Sequence, residues 1–277
     1  MAFDVASVKP SNKFEPPNFP LSPEGAYAPG GRLSASFPLT AYIDFAYKQW
    51  PTPEQRRAVL ANLPKWVGMD LYEIRARAAG NATKDQMRLM MQSLLADRFK
   101  LSVHFETREV PVLALTLDKP GKLGPKLQPH ADGPPCPEYN SDPSSRPTPL
   151  KPGDPFPTMC GVTGMRSGSP GLIVVGSRDT TMKFLADMVQ TNGSMAGDLA
   201  VPVVDRTGLN GRFDYTVEYS GQFGPLQPAG PDAPPPPEPS GPTFRQALRE
   251  QLGLRLVQSR APIRTIVIDH VERPSEN

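Results

Sequence analysis

Proline placement constrains this chain more than any other feature of its sequence. Of the 36 prolines in 277 residues, seven fall in 1–38, twelve in 120–160 and nine in 223–243, so 100 residues hold 28 of them. Only eight remain for the other 177 residues. A proline lacks a backbone N–H and fixes φ near −65°, which bars it from helix interiors and from the middle of sheets. The proline-poor remainder is close to the ordinary share of about 5%. The chain therefore reads as a folded body crossed by proline-rich connections, and its size suits one large domain or two small ones.

Within the body, periodicity predicts a helix over 83–99. Met87, Met90, Met91, Leu94, Leu95 and Phe99 recur at helical spacing, and Thr83 with Gln86 forms a capping box. Two strands follow, one through Leu101, Val103 and Phe105 and one after Pro111 at 112–117. Residues 243–277 repeat this plan. Thr243 and Gln246 give a second capping box, Gly253 a helix stop, Leu254 and Leu256 a strand start, and 263–269 a further strand after Pro262. Pro111 matches Pro262 in this plan, and Asp118 matches Asp269. Upstream, a helix at 38–48 buried through Leu39, Ile43, Ala46 and Tyr47 corresponds to one at 180–190 buried through Phe184, Leu185, Met188 and Val189. Strands at 72–76 and 213–217 then correspond.

The expected fold is α+β. Two related halves of order strand, helix, strand, helix, strand, strand form mostly antiparallel sheet with helices on one face. The first half occupies 1–120. A proline-rich connection with both cysteines occupies 121–170, and the second half occupies 171–277 with a proline-rich loop at 223–243.

Several stretches resemble a known family. They are Phe3-Asp4-Val5-Ala6-Ser7-Val8-Lys9-Pro10, Leu94-Leu95-Ala96-Asp97-Arg98-Phe99-Lys100-Leu101 with His104, Glu106, Thr107, Arg108 and Glu109, Val204-Asp205-Arg206-Thr207-Gly208-Leu209-Asn210-Gly211, and the ending Glu272-Arg273-Pro274-Ser275-Glu276-Asn277. Together they are similar to the soil-associated family of unknown function found in many copies in acidobacterial genomes. The resemblance covers nearly the whole chain. It implies export and occasional fusion to membrane metallopeptidases of the antibiotic-sensor type, and it carries no activity. Residues 243–271 also resemble, distantly, the short N-terminal domain of secretins and TonB-dependent receptors.

Composition narrows the function. Thirty Lys and Arg against 28 Asp and Glu leave +2, too little to capture nucleic acid electrostatically. No apolar run approaches the roughly 18 residues of a membrane span. The residues after Met1 lack the basic segment and apolar stretch of a signal peptide, so export implies a leader already removed. Cys136 and Cys160 share the proline-rich connection. A bridge between them closes a loop of about 25 residues, worth roughly 3 to 4 kcal/mol by chain entropy, and places the chain outside the cytoplasm. Two unpaired thiols are the alternative.

Catalytic motifs are scarce. His104 shares a strand face with Ser102, Glu106 and Arg108, but residues two apart on a strand stand about 6.5 to 7 Å from each other, beyond nucleophile-to-base reach. Metal ligation would need distant histidines such as His104 and His270 to meet across a shared sheet. No cofactor motif is present, and Pro234–Pro237 reads as a stiff linker. One cluster remains. Tyr42, Tyr47, Trp50 and Trp66 gather around Trp50-Pro51-Thr52-Pro53, and half-exposed Trp and Tyr make ligand platforms where they are not simply core.

The leading expectation is an exported, non-catalytic binding or sensor-like module, periplasmic or secreted, whose partner is a glycan, a peptide or a cell-envelope protein. The alternative is an extracytoplasmic hydrolase with a site assembled from distant residues.

Overall fold

The computed structural model describes residues 1–27, 30–131, 155–195, 199–220 and 241–274. Among them the chain is α+β, with six helices and three mostly antiparallel sheets. It divides into two compact units. Described residues of the first come from Met1–Val110 and Ala261–Asn277, and those of the second from Pro111–Pro137 and Lys151–Arg260.

The first unit is built on strands β1 (Val5–Ser11), β2 (Arg32–Pro38) and β3 (Leu71–Arg77), with β3 in the middle and antiparallel to both neighbours. Period-2 alternation on β3 sends Tyr72, Ile74 and Ala76 into the core and leaves Arg75 and Arg77 outside. Helix α1 (Leu39–Tyr47) and helix α4 (Lys84–Phe99) supply the facing apolar surface through Leu39, Tyr42, Ile43, Met87, Met91, Leu95 and Phe99. Both ends of α4 are as expected. Thr83 and Gln86 cap each other reciprocally, and Lys100 closes the helix in the left-handed conformation at φ 50°. Two short helices, α2 (Pro53–Leu60) and α3 (Trp66–Met69), join α1 to β3.

After α4 the two expected strands are one. β4 (Ser102–Leu117) runs through Pro111 without a break, and the last strand of the chain runs through Pro262 in the same way. Pro111 is tolerated because β4 gains its parallel neighbour only at Leu113, so the missing N–H leaves no gap in that ladder. Pro262 lies on an edge strand. The hairpins expected at these prolines are therefore replaced by continuous strands, each with one part in either unit.

The second unit contains β5 (Leu127–Pro129), β6 (Gly164–Ser167), β7 (Leu172–Thr180), helix α5 (Met182–Met195), β8 (Val203–Asp205) and β9 (Phe213–Ser220). Helix α6 (Phe244–Ala247) follows, continues as a π-wound turn over Leu248–Leu252, and leads into β10 (Leu254–His270). Its four-stranded sheet has the order β5-β9-β7-β6, antiparallel throughout. Val175, Leu185, Val189, Val217, Leu248 and Leu252 form its core. Thr243 and Gln246 make the expected capping box, and Gly253 ends the helix at φ 70°. The strand order β5-β9-β7 is comparable to β1-β3-β2 of the first unit, with a helix after the third-named strand in each case.

Candidate functional site

The four aromatic residues singled out from the sequence have different surroundings. Tyr42 is fully buried, with its hydroxyl 2.8 Å from the carbonyl oxygen of Ala35 and 2.7 Å from that of Tyr72. Burial pushes its phenol well above the ordinary value. Tyr42 thus ties β2 to β3 inside the core and presents nothing to a ligand. Tyr47, at the end of α1, is half-buried. Its ring meets Phe105 edge-on at 5.9 Å, and the Arg264 guanidinium lies 3.6 Å over the Phe105 ring.

Trp66 opens α3, half-buried, with its ring 6.1 Å from Tyr72 in a T-shaped pair. Arg273 stands 5.2 Å from the Trp66 ring and is held by Asp70 at 2.8 Å. Met69, three residues along the same helix, is 71% exposed. Trp50 is 39% exposed and immediately precedes α2.

Helix α2 went unread in the sequence because it buries no residue and so carries no apolar period. Its start was nevertheless written there: Thr52 and Gln55 form a capping box and Pro53 occupies the first turn. The segment Trp50-Pro51-Thr52-Pro53 is therefore the entry to a helix, not a free loop. Arg56 of α2 pairs with Asp44 of α1. Burial outweighs that cation and pushes the Asp44 carboxyl up to about 6. Beyond it, Lys84 donates to the carbonyl oxygens of Ser22 at 2.8 Å and Gly25 at 2.9 Å. Desolvation, aided by nearby Arg88, lowers its ammonium to about 7.

The histidines all face carboxylates. His104 meets Asp269 at 2.7 Å through Nδ1 and Glu106 at 3.7 Å through Nε2. Asp269 and His270 are consecutive on β10, so alternation sends them to opposite faces, and His270 pairs with Glu272 at 2.7 Å instead. The contact imagined between His104 and His270 is thereby replaced by one between His104 and Asp269. Among the described residues no group of three or more His, Cys, Asp or Glu is placed to hold a metal ion.

No sequence spacing singles out the third histidine, His130. In the second unit His130 Nδ1 lies 2.7 Å from Asp214 Oδ1, which also accepts the backbone N–H of Asp179 at 2.8 Å. Asp179 sits at φ 52° where the β7–β9 register shifts, and Arg212 pairs with its carboxylate. His130 and Asp214 are 84 positions apart, so no sequence spacing announced them.

Of the two cysteines, Cys136 lies outside the described residues, as does Pro234–Pro237, and Cys160 is half-buried. No described helix is long and apolar enough to cross a membrane.

No curated protein and no solved structure matches the chain. A family model does: residues 40–271, well over half of the chain, match the family described as a protein of unknown function, DUF3738. The chain belongs to that family.

Proposed function

We propose that the protein is an exported, non-catalytic binding module that recognises a peptide or cell-envelope protein through the Trp50 and Trp66 region of its first unit. The observation that carries this reading is the exposure of Trp50, beside the capped and pinned helix α2, and of Met69, with Trp66 held between Tyr72 and Arg273. Tryptophan, tyrosine and arginine are the side chains that dominate binding energy at interfaces. A glycan is the weaker occupant at Trp66, because Arg273 already stands over the ring face that a sugar would stack on. Near-neutral charge leaves apolar burial and stacking as the sources of affinity.

Both tryptophans of the chain lie in this region, so intrinsic fluorescence reports on it directly. Titration with panels of cell-envelope peptides and glycans should give a saturable emission change with a peptide that is lost in Trp66→Ala. Flat titrations throughout would defeat the proposal.

A second reading, an extracytoplasmic hydrolase, is favoured by His130. Asp214 orients its imidazole as a triad carboxylate orients a catalytic base, and the left-handed Asp179 at a register shift is the kind of strain found at functional sites. If hydrolysis of an ester or peptide is detected, His130→Asn should abolish it. Export itself rests on the expected bridge between Cys136 and Cys160 and on the resemblance described above.

A further inference from the structure

The face of the β1-β3-β2 sheet turned away from the core carries a depression that the aromatic region does not involve. Register places Lys9, Glu73 and Ser36 in one row across the three strands, and the isolated bridge from Glu15 to Ser36 extends it. Residues directly opposite project to the same face, with Cβ atoms about 4.5 to 5.5 Å apart. Glu15, Ser36 and Glu73 therefore stand side by side. The end of β1 and the turn after it add Ser11, Asn12 and Lys13, and the open depression measures about 670 Å³. Ligand sites commonly measure about 300 to 1,000 Å³.

The chemistry of the walls selects the ligand. Arg75 Nε lies 2.8 Å from Glu73 and its terminal nitrogen 3.9 Å from Glu15, while the Ser34 hydroxyl donates to Glu15 at 3.4 Å. With Lys9, Lys13 and Arg75 set against Glu15 and Glu73, the site carries no more than a single net charge with which to attract an ion. Its side chains nevertheless offer both donors and acceptors. Beneath them the Ser36 hydroxyl is buried, 1% exposed at its residue, and has no hydrogen-bond partner. Buried polar groups in folded proteins are nearly always paired, so this hydroxyl lacks the acceptor that a neighbouring carboxylate, released from Arg75, could supply.

We propose that this depression binds a neutral polyhydroxylated ligand, a saccharide. Glu15 and Glu73 accept from ligand hydroxyls, Asn12 and Lys13 donate to ligand oxygens, and Ser36 donates to whichever carboxylate oxygen turns away from Arg75 on binding. This is a second site, independent of Trp50 and Trp66.

The test is a ¹H–¹⁵N correlation titration of the full chain with cellotriose, maltotriose and tri-N-acetylchitotriose at millimolar concentration. Saturable shifts are expected at the amides of Ser11, Asn12, Lys13 and Glu73 with at least one trisaccharide. Glu73→Gln should weaken binding about tenfold or more, the usual cost of losing a charged acceptor. Asn12→Ala, on an exposed turn, should weaken it without touching the sheet, and Trp50→Ala should leave it unchanged. No saturable shift with any of the three sugars overturns the proposal. So do shifts indifferent to Glu73→Gln and Asn12→Ala, or shifts produced by n-butylammonium chloride and not by sugars.

Discussion

Tyr42 and Trp50, eight positions apart, show how little sequence proximity says about the use of an aromatic ring. Tyr42 is sealed in the core and Trp50 stands 39% exposed. The sequence places both in one cluster, and its apolar spacing phases α1 slightly wrongly: it puts Tyr47 on the buried face, whereas Tyr42 and Phe45 are the buried rings. Nine residues with three aromatics leave the helical phase underdetermined, and the packing of β2 and β3 decides it. Tyr42→Ala should therefore cost about 3 to 5 kcal/mol in urea unfolding. A loss under about 1 kcal/mol would show that Tyr42 is not core.

Two half-buried charges in the first unit make a pH prediction. Asp44 has its folded pKa raised to about 6, so its contribution to stability is full below the ordinary carboxylate value and lost as pH rises through 6. Lys84 has its folded pKa lowered to about 7, so its contribution is full above the ordinary lysine value and lost as pH falls through 7. The two together predict a stability trough between pH 6 and 7, rising on either side. Urea midpoints across pH should lose the acid limb in Asp44→Asn and the alkaline limb in Lys84→Met. Midpoints that peak in that window and do not respond to either variant would refute the assignment.

At the scale of elements, helix ends were legible in the sequence because capping is local chemistry. Thr83 with Gln86, Thr243 with Gln246 and the stop at Gly253 all stand where their side chains and φ demand. The fate of the strands was not legible. A proline inside an apolar run reads as a break, and whether a missing N–H matters depends on which neighbour lies alongside, a fact of tertiary pairing that Pro111 and Pro262 do not announce. Gly253 supplies a test at this scale. It combines φ 70° with a position where an added Cβ would lie 2.6 Å from the Gly124 nitrogen. Gly253→Ala should destabilise by about 1 to 3 kcal/mol from the left-handed conformation alone, with the clash in addition. Thermal unfolding that shows no loss would mean that the helix ends differently.

At the scale of the whole molecule, the class α+β followed from periodicity, while the candidate site was only partly foreseen. The aromatic residues were local enough to notice. His130 with Asp214 and the row of Glu15, Ser36 and Glu73 were not, since strands bring them together from distant positions. We hold to duplication as a proposal, supported by the shared orders β1-β3-β2 and β5-β9-β7. The proposal of export makes a further prediction. Thiol titration of protein from the cell envelope, denatured and not reduced, should find no reactive thiol, and two per chain would exclude the bridge between Cys136 and Cys160.

The central claim is that Trp50 serves recognition and not folding, and one paired measurement on Trp50→Ala addresses it: urea unfolding alongside titration with the peptide that perturbs wild-type fluorescence, now followed through Trp66. The account predicts a stability change below about 1 kcal/mol, as for a surface position, together with an affinity loss of at least about tenfold. A loss of about 3 to 5 kcal/mol in stability with unchanged affinity would contradict it and return Trp50 to the core.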